Sequence, residues 1–126
     1  MQKICSIALF VLVACSPAGA QTSELLTVAD FEKKLATTKS KQVVDVRTPA
    51  EYASGHLADA IMININQDDF KTQAAKLDKS KPVFVYCAGG VRSGKAAKVL
   101  ESLGFKVYDL DGGIKAWSSA GKPVVK

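Results

Sequence analysis

The segment Val83–Tyr86 is a run of apolar and aromatic residues that predicts a fully buried strand. It leads directly into Cys87, then into a short loop with Gly89 and Gly90, and then into a helical pattern. A buried strand that turns into a helix in this way belongs to a βαβ unit, and such units build parallel sheets covered by helices. Backbone N–H groups and the helix dipole at such a turn favour an anion. Because the thiolate is the nucleophilic form of cysteine, this loop is the first candidate for an active site.

Short apolar runs alternate with helical patterns along the rest of the chain. Strands are predicted over residues 25–26, 43–46, 60–65, 83–86 and 105–110. Helices are predicted to begin at Thr27, Thr48 and Asn66, to cover 93–103, and to end the domain around Trp117. The pattern predicts one α/β domain with three layers, in which an about five-stranded, mostly parallel sheet has helices on both faces.

Residues 1–20 have the pattern of a secretory signal segment. A lysine opens the segment, residues 4–14 are apolar, and Ala18-Gly19-Ala20 suits cleavage by a signal peptidase. The apolar run is too short to span a bilayer comfortably. Leu12-Val13-Ala14-Cys15 also resembles a lipobox, in which Cys15 would carry a lipid anchor. Either route exports the protein, as a free periplasmic domain or as a membrane-anchored lipoprotein.

The net charge and the positions of the cysteines exclude several kinds of site. Removing residues 1–20 deletes one of 17 basic residues and none of 12 acidic ones, which leaves a net charge of +4. The lysines are scattered and form no basic stripe with stacking aromatics, so no nucleic-acid surface is expected. Cys87 is the only cysteine beyond residue 20, so it has no partner for an internal disulfide. With one histidine and no cysteine cluster, no metal site is expected.

Four stretches occur in the order and at the spacing of a known family. They are Asp45-Val46-Arg47 with Glu51, Gly55-His56-Leu57 with Ala60, the loop from Cys87 to Ser93, and Gly112-Gly113 with Ala116-Trp117. On these motifs the chain resembles the rhodanese family of sulfurtransferases, and as a single exported domain it resembles the periplasmic phage-shock members. The resemblance covers about residues 25–121, which leaves 122–126 as a C-terminal tail. It implies a rhodanese-like fold.

The resemblance also implies a reaction. In this family the cysteine attacks the outer, sulfane sulfur of thiosulfate, sulfite leaves, and a thiophilic acceptor such as cyanide or a thiol collects the persulfide sulfur. Cys87 corresponds to that catalytic cysteine. The implied substrate-binding residues share one loop whose N–H groups can form an anion-binding nest: Ala88, Gly89, Gly90, Val91, Arg92 and Ser93. No cofactor is implied, and the expected partners of this monomer are a small anionic sulfur donor and a thiol or cyanide acceptor.

Within this loop, three residues have more specific expected roles. Arg92 offers a permanent planar positive charge to the sulfonate oxygens of thiosulfate. Gly89 and Gly90 are both expected to be needed, because they let the backbone curl tightly without Cβ clashes.

Two other functions remain open at this point. Cysteine phosphatases and arsenate reductases also use a cysteine, an N–H cradle and an arginine, but their loop resembles Cys-x5-Arg. Here only four residues separate Cys87 from Arg92, and the smaller cradle suits a sulfur atom better than a tetrahedral phosphate. The second alternative is a periplasmic sulfur-carrier or redox module that serves a dedicated protein acceptor.

Five residues outside the loop have both a structural and a functional interpretation. His56, the only histidine, is expected to be structural rather than catalytic. Asp45, Arg47 and Glu51 are expected to form a buried hydrogen-bonded network that braces the loop rather than to bind substrate. Trp117 is expected to anchor the last helix by packing.

Overall fold

The structure is a computed structural model that describes residues 22–126. The predicted signal segment, its cleavage site and the alternative lipidation of Cys15 lie outside the described residues. Among the helices of residues 22–126, none is long and apolar enough to cross a membrane.

Five strands in this part of the chain form one parallel sheet. They are β1 (Ser23–Leu26), β2 (Gln42–Asp45), β3 (Ile61–Met62), β4 (Val83–Tyr86) and β5 (Val107–Leu110). Their order is β1-β5-β4-β2-β3, so β4 lies at the centre of the sheet. Its register with both neighbours is parallel, with Val85 opposite Val44 and Phe84 opposite Tyr108. Cys87 therefore leaves the central strand at its carboxyl end, where ligands bind in open α/β sheets.

Helices cover both faces of the sheet, so the predicted three-layer α/β architecture is confirmed. The helices are α1 (Val28–Thr37), α2 (Pro49–Ser54), α3 (Phe70–Ala74), α4 (Val91–Ser102) and α5 (Gly113–Ser119). One core lies beneath α3 and α4, where Ala74 and Leu100 pack with Val85. On the other face, Phe31 of α1 and Trp117 of α5 pack with their rings edge to face.

The N-termini of α1 and α2 begin where the sequence predicted. The Thr27 side chain accepts a hydrogen bond from the Asp30 amide at 3.3 Å. At α2, the Thr48 hydroxyl accepts from the Glu51 amide at 3.3 Å, and the Glu51 carboxylate accepts from the Thr48 amide. This reciprocal capping box follows from the Thr48 spacing alone, because both of its bonds are local.

The segment between β2 and β4 differs from its prediction. β3 contains only two residues instead of the six expected over 60–65, although the Ile63 and Ile65 amides still bond to carbonyls of the β2 segment. At this sheet edge Ile61 is 46% exposed, whereas Ile63 is buried. The next helix begins at Phe70 rather than after Asn66, because the Asn66 amide donates to the Asn64 side chain in a turn. Local turn bonds of this kind compete with helix formation.

Both ends of the domain make more contacts than the sequence indicated. β1 begins at Ser23, two residues before the predicted strand. At the other end, Val125 forms an antiparallel bridge with His56, with N–H···O distances of 2.8 Å in both directions. The Trp117 indole also donates to the Pro123 carbonyl at 2.8 Å. Residues 122–126 are therefore docked on the domain.

Candidate active site

Cys87 lies just beyond β4 and is 1% exposed. Its Sγ atom accepts a hydrogen bond from the Gly90 amide at 3.0 Å. The same sulfur is 3.5 Å from the hydroxyl oxygen of Ser93, which in turn donates to the Gly90 carbonyl at 3.2 Å. The Gly90 N–H thus donates to the sulfur, and the Ser93 oxygen accepts from the thiol, in a dry environment where hydrogen bonds to a charged atom are strong. This arrangement can stabilise a thiolate or a persulfide.

The first turn of α5 packs against the Cys87 loop and donates hydrogen bonds to its backbone. The Ile114 amide donates to the Cys87 carbonyl at 2.9 Å, and the Lys115 amide donates to the Ala88 carbonyl at 3.1 Å. Gly113 has a φ of +62°, and a Cβ atom there would overlap the backbone of the loop. Glycine is therefore required at this position by conformation and by space. The sequence motif pointed to this position, but not to its contact with the active loop.

The two glycines of the loop differ in what they contribute. Gly90 has a φ of +115° and is the N-cap residue of α4. Gly89 has no positive φ, and a Cβ atom there would meet nothing within 4 Å. The expectation that both glycines are needed for the curled backbone is therefore wrong for Gly89. Its N–H group remains a predicted donor to the substrate.

The remaining residues of the predicted binding set occupy the expected loop and the first turn of α4. Among the loop amides described, Gly90 supplies the one that contacts the sulfur, and Ser93 supplies the hydroxyl. The Val91 side chain points outward and is 77% exposed. The roles of these residues, and of Ala88, toward a substrate stay predictions.

Arg92 is paired with Glu51 rather than free in the loop. Its guanidinium donates two hydrogen bonds to the Glu51 carboxylate, at 2.7 and 2.9 Å. The hydrogen bonds from Arg92 lower the pKa of Glu51 to about 2, with a smaller contribution from Thr48, and burial opposes the shift. Both side chains remain partly exposed, at 28% and 32%, so an anion can reach the pair. The prediction of one buried network of Asp45, Arg47 and Glu51 is therefore wrong for Glu51, which is partly exposed and ties α2 to the first turn of α4 through Arg92.

Asp45 and Arg47 form the buried network that the sequence predicted. Arg47 donates from Nε and Nη2 to both carboxylate oxygens of Asp45, at 2.7–3.1 Å, and also to the Gly55 carbonyl. The Tyr86 hydroxyl donates to Asp45 at 2.8 Å and accepts from the Leu57 amide at 3.0 Å. Burial raises the pKa of Tyr86, so it stays a donor. The network joins β2, β4 and the turn after α2, next to the Cys87 loop.

Two other candidates, His56 and Trp117, make contacts away from the sulfur. The His56 ring stacks on Tyr52 with centroids 3.8 Å apart, and its Nδ1 atom is 3.0 Å from the Tyr52 carbonyl. These contacts confirm its structural role. Trp117 is buried against Phe31 and is confirmed as a packing anchor.

Asp109 is a buried polar residue that the sequence analysis did not single out. It lies in β5 and is 5% exposed. Burial raises its pKa to about 6, and the neighbouring Ser93 hydroxyl opposes part of the rise by hydrogen bonding. Because the folded state binds this proton more tightly than the unfolded chain does, Asp109 weakens the fold as pH rises from about 4 through 6. The available signal was a charged residue in a strand that is otherwise buried on both faces.

The described residues contain no cluster of three or more His, Cys, Asp or Glu side chains that could hold a metal ion. A surface pocket of about 760 Å³ lies near the start of β2 and of β4, with Gln42 and Lys81 in its wall. Those strand ends are opposite to the edge that carries Cys87, so the pocket is separate from this site.

The comparisons with known proteins agree with this geometry. The model of the rhodanese-like domain matches residues 27–120. A sulfurtransferase of Allochromatium vinosum is 36% identical over 96 residues, which cover 75% of this chain and 88% of the relative. The thiosulfate sulfurtransferase GlpE of Shewanella oneidensis is 35% identical over 88 residues, which cover 69% and 85% of the two chains. The crystal structure of a rhodanese-related protein from Thermoplasma volcanium superposes with a TM-score of 0.72 at 34% identity, covering 81% of this chain and 97% of that one.

The fold and the site define an α/β domain with a parallel sheet whose central strand ends at a buried cysteine, in a loop that leads into a helix. The chain belongs to the rhodanese-like family of sulfurtransferases.

Proposed function

We propose that this protein transfers sulfane sulfur from thiosulfate, or from a persulfide donor, to a thiophilic acceptor through a persulfide on Cys87. The observation that carries the proposal is the 3.0 Å hydrogen bond from the Gly90 amide to the Cys87 sulfur. A donor in this position stabilises the Cys87 thiolate before it attacks the donor, and it stabilises the anionic persulfide that forms afterwards. The relatives named as sulfurtransferases support the same chemistry.

The test is a sulfur-transfer assay with thiosulfate as donor and with cyanide, dithiothreitol and glutathione as acceptors. Mass spectrometry of the protein after exposure to thiosulfate should show the added mass of one sulfur atom, and cyanide should remove it. Hydrolysis of an aryl phosphate without any sulfur transfer would contradict the proposal and favour the phosphatase alternative.

The anion site of the proposed reaction includes Arg92. We expect Arg92→Ala to reduce kcat/KM for thiosulfate about tenfold, mainly through KM, because a hydrogen-bonded charge on the sulfonate oxygens is lost. Removing the guanidinium also leaves Glu51 unpaired near the loop, so Glu51→Gln with Arg92 intact is the matched control. Steady-state kinetics with varied thiosulfate measure the effect. An unchanged kcat/KM in Arg92→Ala would remove this residue from the site.

The loop glycines provide a second test. We expect Gly90→Ala to lose most of the sulfur transfer, whereas Gly89→Ala keeps it. Alanine at a φ of +115° is strained by roughly 1–3 kcal/mol, and relief of that strain moves the amide that contacts the sulfur. Kinetics and urea unfolding of the two variants measure the difference. If Gly89→Ala and Gly90→Ala lose sulfur transfer equally, the positive φ of Gly90 is not the reason that glycine is needed there.

A dedicated protein acceptor is a second candidate, and Val91 favours it. This apolar side chain is 77% exposed at the start of α4, beside a sulfur that is almost completely buried. An acceptor protein that covers Val91 would bury apolar surface while its thiol enters the loop. Transfer to a protein thiol at a rate well above transfer to glutathione would support the carrier function.

We further propose that residues 1–20 direct export to the periplasm, either as a cleaved monomer or as a lipoprotein anchored at Cys15. The basis is the signal-like pattern of the sequence. The mass of the protein purified from membranes and from periplasmic extract separates these two forms.

A further inference from the structure

Glu51 cancels the charge of Arg92, which lies in the first turn of α4. The Arg92 Nη1 and Nη2 atoms donate to the two carboxylate oxygens of Glu51, at 2.7 and 2.9 Å. These hydrogen bonds lower the pKa of Glu51 to about 2, so its carboxylate is ionised at neutral pH. Arginine keeps its positive charge at the same pH. The pair therefore has no net charge.

The other side chains around the loop add little positive charge at the sulfur. Residues 88–91 are alanine, two glycines and valine, so they carry no charge. The buried pair of Asp45 with Arg47 is neutral as a unit. Lys95 of α4 and Lys115 of α5 are exposed, and water and salt screen their charges. An anion that approaches the sulfur meets N–H donors and the partial charge of a helix N-terminus, but little full positive charge.

Arg92 can still donate a hydrogen bond to a ligand. Within residues 22–126 its Nε atom has no hydrogen-bond partner, and its side chain is partly exposed. The Nε–H group can therefore bond to an acceptor atom of a sulfur donor. Val91, the residue before it, is exposed and apolar. A hydrogen bond from the arginine and an apolar contact with the valine suit a donor that carries an organic group.

Resting on the proposed sulfur transfer, we infer that Glu51 determines the donor specificity of this site, and that the favoured donor is an organic persulfide rather than thiosulfate. The Cys87 thiolate attacks the outer sulfur of R–S–SH. The bond between the two donor sulfurs breaks, R–S⁻ leaves with the electron pair, and Cys87 holds the outer sulfur and its proton as a persulfide. Thiosulfate brings two negative charges to the site, whereas the reacting group of the persulfide brings at most one.

The charge of Glu51 acts on a donor in proportion to the donor's own charge. It repels a dianion twice as strongly as a monoanion in the same place. The carboxylate also occupies the two Nη groups that thiosulfate would need for a bidentate bond from Arg92. Glutamine at position 51 keeps an oxygen acceptor for Arg92 and the capping box with Thr48, since glutamine also serves in that box. Glu51→Gln thus removes the charge and keeps the contacts.

The donor step is measured without an acceptor, as the rate at which Cys87 gains one sulfur atom in mass spectrometry. Thiosulfate and methanethiosulfonate are matched donors, because both have a sulfonyl group and an outer sulfur but carry two charges and one. Unit charges about 4 Å apart in water interact by an energy equal to about a fivefold change in rate. We therefore expect Glu51→Gln to raise the second-order rate constant about fivefold with methanethiosulfonate and about 25-fold with thiosulfate. In the wild type, the persulfide of N-acetylcysteamine, which has no other charged group, should react faster than thiosulfate.

Glu32→Gln is the matched control. Glu32 of α1 forms a similar ion pair with Lys122, at 2.9 Å, on the face of the sheet opposite to α4, so both rates should stay at the wild-type value. Equal changes with the two sulfonyl donors in Glu51→Gln, a loss with both, or the same shift in Glu32→Gln overturns the inference. Faster reaction of the wild type with thiosulfate than with the persulfide also overturns it. If no donor places sulfur on Cys87, the proposed function itself is refuted.

Discussion

Cys87→Ser should abolish sulfur transfer while the fold is kept. Replacement of an enzyme's nucleophile typically costs a factor on the order of 10⁴ or more, because the covalent intermediate can no longer form. The serine hydroxyl can still use the hydrogen bonds that the Gly90 amide and the Ser93 hydroxyl make with the sulfur. The free energy of unfolding should therefore change by about 1 kcal/mol at most. Thiocyanate formation from thiosulfate and cyanide, together with urea unfolding, measures both effects.

A matched control for this change is Ser102→Ala. Ser102 is in the last turn of α4, and among residues 22–126 its hydroxyl bonds only to the Val99 carbonyl of its own helix. This variant should retain wild-type activity. The added sulfur mass should be absent from Cys87→Ser and present in Ser102→Ala after exposure to thiosulfate. Substantial transfer by Cys87→Ser would show that the sulfur is carried elsewhere.

Arg47→Met should cause the largest loss of stability. It removes the only cation that is hydrogen-bonded to Asp45 among the described residues, and Asp45 is completely buried. An uncompensated buried charge costs about 3–5 kcal/mol, and methionine fills a similar volume, so a cavity contributes little. The Gly55 carbonyl loses its donor as well. Because Tyr86 shares Asp45 and precedes Cys87 directly, sulfur transfer should also fall.

The exposed ion pair of Lys81 with Asp78 is the control for this change. Its atoms are 4.0 Å apart and its side chains are 42% and 50% exposed, so Lys81→Met should change the free energy of unfolding by less than about 1 kcal/mol. Urea unfolding of the two variants at pH 7 gives the comparison. If the free energy of unfolding falls by the same small amount in both variants, the Asp45–Arg47 pair does not stabilise the fold as proposed.

The local features of the fold could be predicted because they depend on neighbouring residues. The caps at Thr27 and Thr48 are formed by residues three positions apart, and the buried strands appear as short apolar runs. The two-residue length of β3 could not be predicted, since the alternation of isoleucines does not show how far a strand pairs at a sheet edge. For the same reason, the turn at Asn64 was not distinguished from a helix start at Asn66.

The sequence by itself determined the α/β alternation, the position of Cys87 after a central strand and the family motifs. Only the tertiary structure decided which distant residues meet at that cysteine. Glu51 reaches Arg92 across 41 positions, and Gly113 lies against the loop backbone. These contacts depend on the order of the strands in the sheet and on which face of the sheet each helix covers. Periodic patterns of apolar residues specify which face of a strand or helix is buried, but not its neighbour in space.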